Sequence, residues 1–186
     1  MVQDLTGKLL VAMPGIGDPR FARSVILICA HSDDYTMGLV LNKPIDDLTL
    51  PELLTQLDIE QDITVPETYV LNGGPVGTDR GFVVHTNDYY SENATVEVAS
   101  DFSMTATRDV LRALATEGAP THATMTLGYS GWGPGQLENE LSEHAWLVSD
   151  PHADIVFGEA HSKKWELTLG MLGIDPAHLH VTGGNA

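Results

Sequence analysis

The run Gly128-Tyr129-Ser130-Gly131-Trp132-Gly133-Pro134-Gly135-Gln136-Leu137-Glu138 constrains this chain more than any other stretch. An alternating β-prone segment, Ala123-Thr124-Met125-Thr126-Leu127, enters it, and a helical pattern with Leu137 and Leu141 one turn apart leaves it. Glycine adopts positive φ at no steric cost and lets two backbones touch. Four glycines and a proline between a strand and a helix therefore predict a tight turn. Such a turn presents N–H groups at a helix N-terminus, where an anion docks. The structural expectation for Tyr129 and Trp132 is that both rings pack in the core. The functional one is a ligand site on Gly131, Trp132, Gly133, Gly135 and Gln136.

Strands are expected at 7–13, 24–31, 37–42, 69–71, 81–85, 94–99, 123–127, 145–148 and 154–157. Thr49-Leu50-Pro51-Glu52 reads as a helix start, with Thr49 as cap and Glu52 at the reciprocal position. Helical patterns follow at 107–116, after the glycine junction, and at 161–172, where Trp165, Leu169 and Leu172 form an inner stripe. Strands come in adjacent runs with isolated helices between them. That order favours an α+β fold, with one domain over 1–186, above a doubly wound sheet.

The net charge is −17, from 26 acidic residues against 9 Lys plus Arg. Nucleic-acid affinity comes largely from cations that displace counterions from phosphates, so no nucleic-acid partner is expected. No apolar run approaches the ~18 residues of a membrane helix, and no basic-then-apolar leader opens the chain. A cytoplasmic, acidic protein is the expectation. With Cys29 alone, an intrachain disulfide and a cysteine-based zinc site are ruled out within one chain.

A second loop, Asn72-Gly73-Gly74-Pro75 followed by Arg80, places one of the nine cations beside paired glycines. A guanidinium there suits a carboxylate or phosphate, and Asn72, Gly73, Gly74 and Arg80 are ligand-binding candidates. His31 and His85 end apolar strands and are weaker candidates for one cleft, together with Glu138. His178 and His180 form a tail pair two residues apart, and no metal is expected. Ser130 fails the nucleophile-elbow pattern because Trp132 stands where that pattern has glycine. Cys29, inside an apolar strand, reads as an inert thiol.

Several segments taken together resemble a known family. They are Ala12-Met13-Pro14 with Asp18-Pro19 and Arg23-Ser24-Val25; Ile28-Cys29-Ala30-His31; Met37-Gly38-Leu39-Val40-Leu41-Asn42-Lys43-Pro44; Gly73-Gly74-Pro75-Val76 with Asp79-Arg80-Gly81-Phe82-Val83-Val84-His85; the glycine junction; and Lys164-Trp165. In this order and spacing the chain is similar to the YqgE/AlgH family of bacterial proteins over about residues 5–173, with 174–186 as a tail outside the pattern. The resemblance implies an α+β fold with a mixed or antiparallel sheet, a small β-barrel-like core and about four flanking helices. It implies no catalytic residues and no cofactor. Relatives that carry Ala at the position of Ser130 argue against a nucleophile there.

The reading that follows is a non-enzymatic module for a small anionic ligand or a protein partner, with its site between the 72–80 and 128–136 loops. One alternative is an enzyme using His31, His85, Arg80 or Glu138 in that cleft. Another follows from the alginate-regulator label carried by one branch of the family: gene regulation through a protein partner, without DNA contact.

Overall fold

A computed structural model describes residues 3–179. Ten strands form the sheet system: β1 (Leu9–Ala12), β2 (Val25–His31), β3 (Thr36–Val40), β4 (Pro44–Thr49), β5 (Tyr69–Asn72), β6 (Val76–Thr86), β7 (Thr95–Ala99), β8 (Phe102–Thr105), β9 (Ala123–Trp132) and β10 (Trp146–Ser149). The helices among the described residues are α1 (Leu50–Gln56), α2 (Arg108–Leu114), α3 (Gln136–Ser142), α4 (Ala153–Val156) and α5 (Lys164–Met171). The strands run in the order β10-β1-β2-β3-β9-β6-β8-β7, with β5 joining β4 to β9. Every pairing is antiparallel except β5 with β9.

The sheet curls on itself. Leu9 and Val11 near one end of the strand order share a cluster with Val98 and Phe102 at the other. Gly7, just before β1, lies so close to β7 that a Cβ there would stand 2.7 Å from the Val98 carbonyl oxygen. Ile155, Val156, Trp165 and Leu169 of α4 and α5 fill the concave side. On the convex side α1 and α2 cover Val70, Val83 and Met125, and α3 lays Leu137 against Ile26, Val40 and Trp132. This is the α+β, barrel-like arrangement expected, with five α-helices described rather than about four.

Gly128 is the pivot of β9. Met125 and Leu127 pack toward α1 and α2, whereas Tyr129, the next odd residue, packs on the concave side. Strict alternation would keep all three on one face. Gly128 sits at φ +77 where the β6–β9 register shifts, and this bulge exchanges the faces. Below the bulge the strand pairs with β6 and β5; above it Tyr129 still meets Val76 of β6, and Thr36↔Trp132 and Gly38↔Ser130 join it to β3.

Some local expectations fail for identifiable reasons. Residues 153–156 are a helical turn, not a strand: the Phe157 N–H donates to the Ala153 carbonyl at 2.8 Å and the Val156 N–H to the His152 carbonyl at 3.0 Å. A short apolar run such as Ile155-Val156 carries no period that separates the two states. Strand β4 lacked any alternation to announce it, and β8 alternates over four residues alone, too short a run to stand out. In the last helix Trp165 and Leu169 are buried as expected, but Leu172 is 36% exposed because the helix ends at Met171. His178 lies in a 3-10 turn, Pro176–His178, and His180 lies outside the described residues. At the start of α1 the Thr49 N–H donates to the Glu52 carboxylate at 3.2 Å, the expected return bond of a capping box.

Candidate functional site

The two loops expected to share a cleft do meet, through their backbones. A Cβ on Gly73 would stand 2.4 Å from the Gly128 carbonyl oxygen, and one on Gly74 would stand 2.2 Å from that of Tyr129. The Gly73 N–H donates to the Leu127 carbonyl at 2.8 Å, and the Ser130 hydroxyl donates to the Gly73 carbonyl at 3.2 Å. Ser130 is fully buried in this contact. Glycine is required here for close packing of two chains.

The turn itself is closed by its own side chains. The Gly133 N–H donates to Gln136 Oε1 at 3.0 Å, and Gln136 Nε2 donates to Glu140 at 3.2 Å. Glu140 Oε1 in turn accepts from the indole N–H groups of Trp132, at 3.2 Å, and Trp146, at 3.0 Å. The two indoles pack edge-on, 6.1 Å apart, and both are buried. Gly131 and Gly135 are exposed, and Gly135 caps α3 at φ +70. From the sequence Glu138, Glu140 and Glu143 read as one solvated helix face; Glu140 is instead half-buried as the acceptor of both indoles, because α3 packs that side against Trp132 and Trp146.

His31 and Glu138 form a pair, with Nε2 and Oε1 2.7 Å apart. The Leu5 N–H donates to His31 Nδ1 at 2.9 Å, which fixes Nδ1 as acceptor and Nε2–H as the donor to the carboxylate. That bond is the first cause of a Glu138 pKa below the ordinary carboxylate value. Neither ring nitrogen is left to take a proton from a substrate. His85 is occupied likewise: Nδ1 donates to the Thr86 carbonyl at 2.8 Å, and Nε2 pairs with the Thr105 hydroxyl at 2.7 Å. His31 and His85 have no hydrogen-bond partner in common. Burial pushes the Cys29 thiol up to about 12, far from a reactive thiolate. Arg80 is exposed, with its guanidinium 5.6 Å from the Phe82 ring centre.

A cationic pair lies beside the 72–74 turn. The Asn72 N–H donates to the Lys43 carbonyl at 2.7 Å, and Asn72 Oδ1 accepts from the Gly74 N–H at 3.2 Å. Lys43 Nζ donates to the Ala22 carbonyl at 2.6 Å, next to Arg23. Burial, and then the charge of Arg23, hold the Lys43 pKa below the ordinary lysine value. The Arg23 guanidinium lies 4.8 Å over the Trp165 ring, a cation–π contact that fixes its position. Its backbone is at φ +56, a left-handed conformation that costs roughly 1–2 kcal/mol outside glycine. Asn42 clamps it: Nδ2 donates to the Arg23 carbonyl at 2.8 Å while Oδ1 accepts from the Val25 N–H at 3.0 Å. Among the described residues the ion pairs are Lys8–Asp150, Arg20–Asp18 and Arg112–Asp109, beside the hydrogen-bonded His31–Glu138 contact, so neither Arg23 nor Lys43 has a carboxylate partner.

A family model described as AlgH-like matches residues 9–177. The chain belongs to the AlgH-like family. Among its relatives, a UPF0301 protein of Caulobacter vibrioides is 48% identical over 98% of this chain and 94% of its own length. Another, from Ruegeria pomeroyi, is 50% identical over 98% of this chain and all of its own. The solution structure of the AlgH protein from Pseudomonas aeruginosa superposes with a TM-score of 0.77 at 36% identity, covering both chains fully. A crystal structure from Corynebacterium diphtheriae shares the fold, with a TM-score of 0.70 at 21% identity over 91% of this chain and 88% of that one. Among the described residues no helix is long and apolar enough to cross a membrane.

Proposed function

We propose that this AlgH-like protein is a non-enzymatic binding module for a small anionic ligand, held by Arg23 and Lys43 beside the 72–74 turn. The observation that carries the reading is the unneutralised cation pair in a chain of net charge −17. Carboxylates outnumber cations almost threefold, so a cation without a carboxylate partner is one the fold keeps apart from them. Here two stand together, one partly buried, and raise the free energy of each other's charge. A strained Arg23 backbone held by Asn42 adds a further cost that the surroundings must offset, and strain of this kind clusters at ligand sites. An anion relieves the repulsion and accepts from both side chains. Asn72, Gly73 and Gly74 stay candidates beside the pair, tied to it by the Asn72 N–H bond to the Lys43 carbonyl. In the 131–136 turn, Gly133 and Gln136 have their donors engaged internally.

The occupied nitrogens of His31 and His85, the raised thiol of Cys29 and the engaged hydroxyl of Ser130 support binding over catalysis. A thermal-shift screen with phosphate, pyrophosphate and citrate tests the proposal. At least one anion should raise the melting temperature of the wild type, and Lys43→Met should abolish the rise. Arg80→Ala removes an equal charge elsewhere and should preserve it. A rise that survives Lys43→Met, or that falls equally with Arg80→Ala, rejects the site.

A further inference from the structure

We infer that residues 3–6 form a strap that His31 releases from β2 and α3 in mild acid, when its ring takes a second proton. Among the described residues a single hydrogen bond ties that segment to the rest of the molecule: the Leu5 N–H donates to His31 Nδ1 at 2.9 Å. Its other bonds are local. The Thr6 N–H donates to Asp4 Oδ1 at 2.9 Å, and the Lys8 N–H donates to the Leu5 carbonyl at 3.0 Å. The chain is anchored just beyond, where the Gly7 N–H donates to the Ile28 carbonyl at 2.8 Å and the Ile28 N–H to the Lys8 carbonyl at 3.0 Å. Gly7 is at φ +86, a conformation open to glycine without strain, and marks the hinge.

The acceptor of that bond is a ring nitrogen, so the bond depends on the protonation state. A neutral imidazole carries one donor and one acceptor, whereas an imidazolium carries two donors. Nε2–H is committed to Glu138 Oε1 at 2.7 Å, so an incoming proton goes to Nδ1. Two N–H groups then face each other where a donor met an acceptor. The His31 side chain is 1% exposed, so no water relieves that contact in place. Glu138 holds the far side of the ring, which leaves the strap as the part that moves.

The surrounding charges favour the imidazolium. Glu138 faces the ring from α3 and Asp4 from the strap itself. Asp33 and Asp34 lie in the turn after β2, and Glu140 of α3 is taken by the two indoles. Lys8 is the cation that lines the same cleft, and it is paired with Asp150 at the end of β10. Residues 9–12 of β1, 36–40 of β3 and 130–132 of β9 bring no charged side chain. Against release stands Leu5, 8% exposed in a cluster with Leu137, Leu141 and Trp146. Leu5 is also a wall of the ≈ 400 Å³ cleft bordered by Glu138, Leu141 and Val148, so release of the strap widens that cleft.

The test is NMR of the wild type from about pH 8 to about pH 5, the range in which histidine changes charge. Ring ¹⁵N shifts report the His31 protonation state, and amide exchange, corrected for the intrinsic rate, reports the strap. As Nδ1 gains its proton the Leu5 amide should lose about tenfold or more in protection, the amount that one hydrogen bond contributes. The Gly7 and Ile28 amides should keep theirs. His31→Asn offers the Leu5 N–H an amide oxygen that does not titrate, and its Leu5 protection should stay level across the range. Glu138→Gln removes the carboxylate that favours the imidazolium and should move the transition to lower pH. The inference is overturned if the ring becomes imidazolium with Leu5 still protected, or if it stays neutral down to about pH 5. The same loss of protection in His31→Asn, or a transition that Glu138→Gln leaves in place, overturns it as well.

Discussion

Replacing Gly128 by Ala tests whether the bulge in β9 is what joins the two halves of the sheet. The residue is at φ +77, and an added methyl would stand 2.5 Å from the Gly74 carbonyl oxygen, 3.3 Å from that of Val76 and 3.4 Å from the Thr78 Cα. All three neighbours are backbone, so no side chain can swing away. The left-handed conformation costs a non-glycine residue roughly 1–2 kcal/mol, and forcing a methyl into a packed backbone contact costs about 1–3 kcal/mol. Together these give a loss of about 2–5 kcal/mol, and at about 2–4 °C per kcal/mol for a chain of this size the melting temperature should fall by about 4–20 °C. Gly131→Ala and Gly133→Ala are the controls, because an added Cβ meets nothing closer than 3.6 Å and 4.0 Å respectively. Each should melt within about 2 °C of the wild type, since neither introduces a clash. Differential scanning calorimetry or a circular-dichroism melt decides it. A Gly128→Ala variant that melts with the wild type, or controls that fall as far, would refute the reasoning.

Glu140→Ala leaves the indole N–H groups of Trp132 and Trp146 buried without an acceptor, at about 1–3 kcal/mol each; urea unfolding should show a loss of about 2–6 kcal/mol, and a loss under about 1 kcal/mol would contradict the network. Lys164 has a folded pKa lowered to about 7 by burial, below its unfolded value, so the unfolded chain binds more protons between about pH 7 and about pH 10. Stability should therefore rise with pH across that window by at most about 1.4 kcal/mol per unit from this group, and Lys164→Met should flatten the rise; an unchanged slope would show that the amine is not desolvated. The Asp88 carboxylate accepts from the Thr86 and Thr121 hydroxyls and the Thr121 N–H, which hold its pKa down to about 2. Its contribution should be present above the unfolded value of about 4 and vanish as pH falls toward 2, and Asp88→Asn should remove that acid-dependent part of a melting curve series. In fluorescence anisotropy at physiological salt, duplex DNA should show no specific binding, because the chain lacks a cationic footprint; sub-micromolar binding that weakens with added salt would contradict this.

Much of the framework was legible because it depends on local chemistry. The capping box at Thr49 and Glu52, the amphipathic α5 and the alternation in 123–127 each need only a few neighbouring residues. The glycine junction announced a special turn but not its purpose: whether glycines admit a ligand or a second backbone depends on what lies opposite, and here Gly73 and Gly74 do. The cation pair was hidden for a similar reason. Arg23 and Lys43 are twenty residues apart along the chain, and the β2–β3 pairing and the Asn42 clamp bring them together. Lys164 carried a readable signal, since it lies on the same helical stripe as Trp165, Thr168 and Leu169, all buried.

Calorimetric titration of pyrophosphate into the wild type, Arg23→Ala, Lys43→Ala and the double variant, at about 0.05 M salt so that screening stays weak, shows whether Arg23 and Lys43 hold one anion between them. A charge-assisted hydrogen bond contributes about 1.5–3 kcal/mol, so each single variant should lose about ten- to a hundredfold in affinity. Both side chains grip one ligand, so the double variant should lose less than the product of the two. Arg80→Ala should bind within about twofold of the wild type, the difference expected from a distant charge alone. Pyrophosphate that binds the double variant as tightly as the wild type would contradict the account.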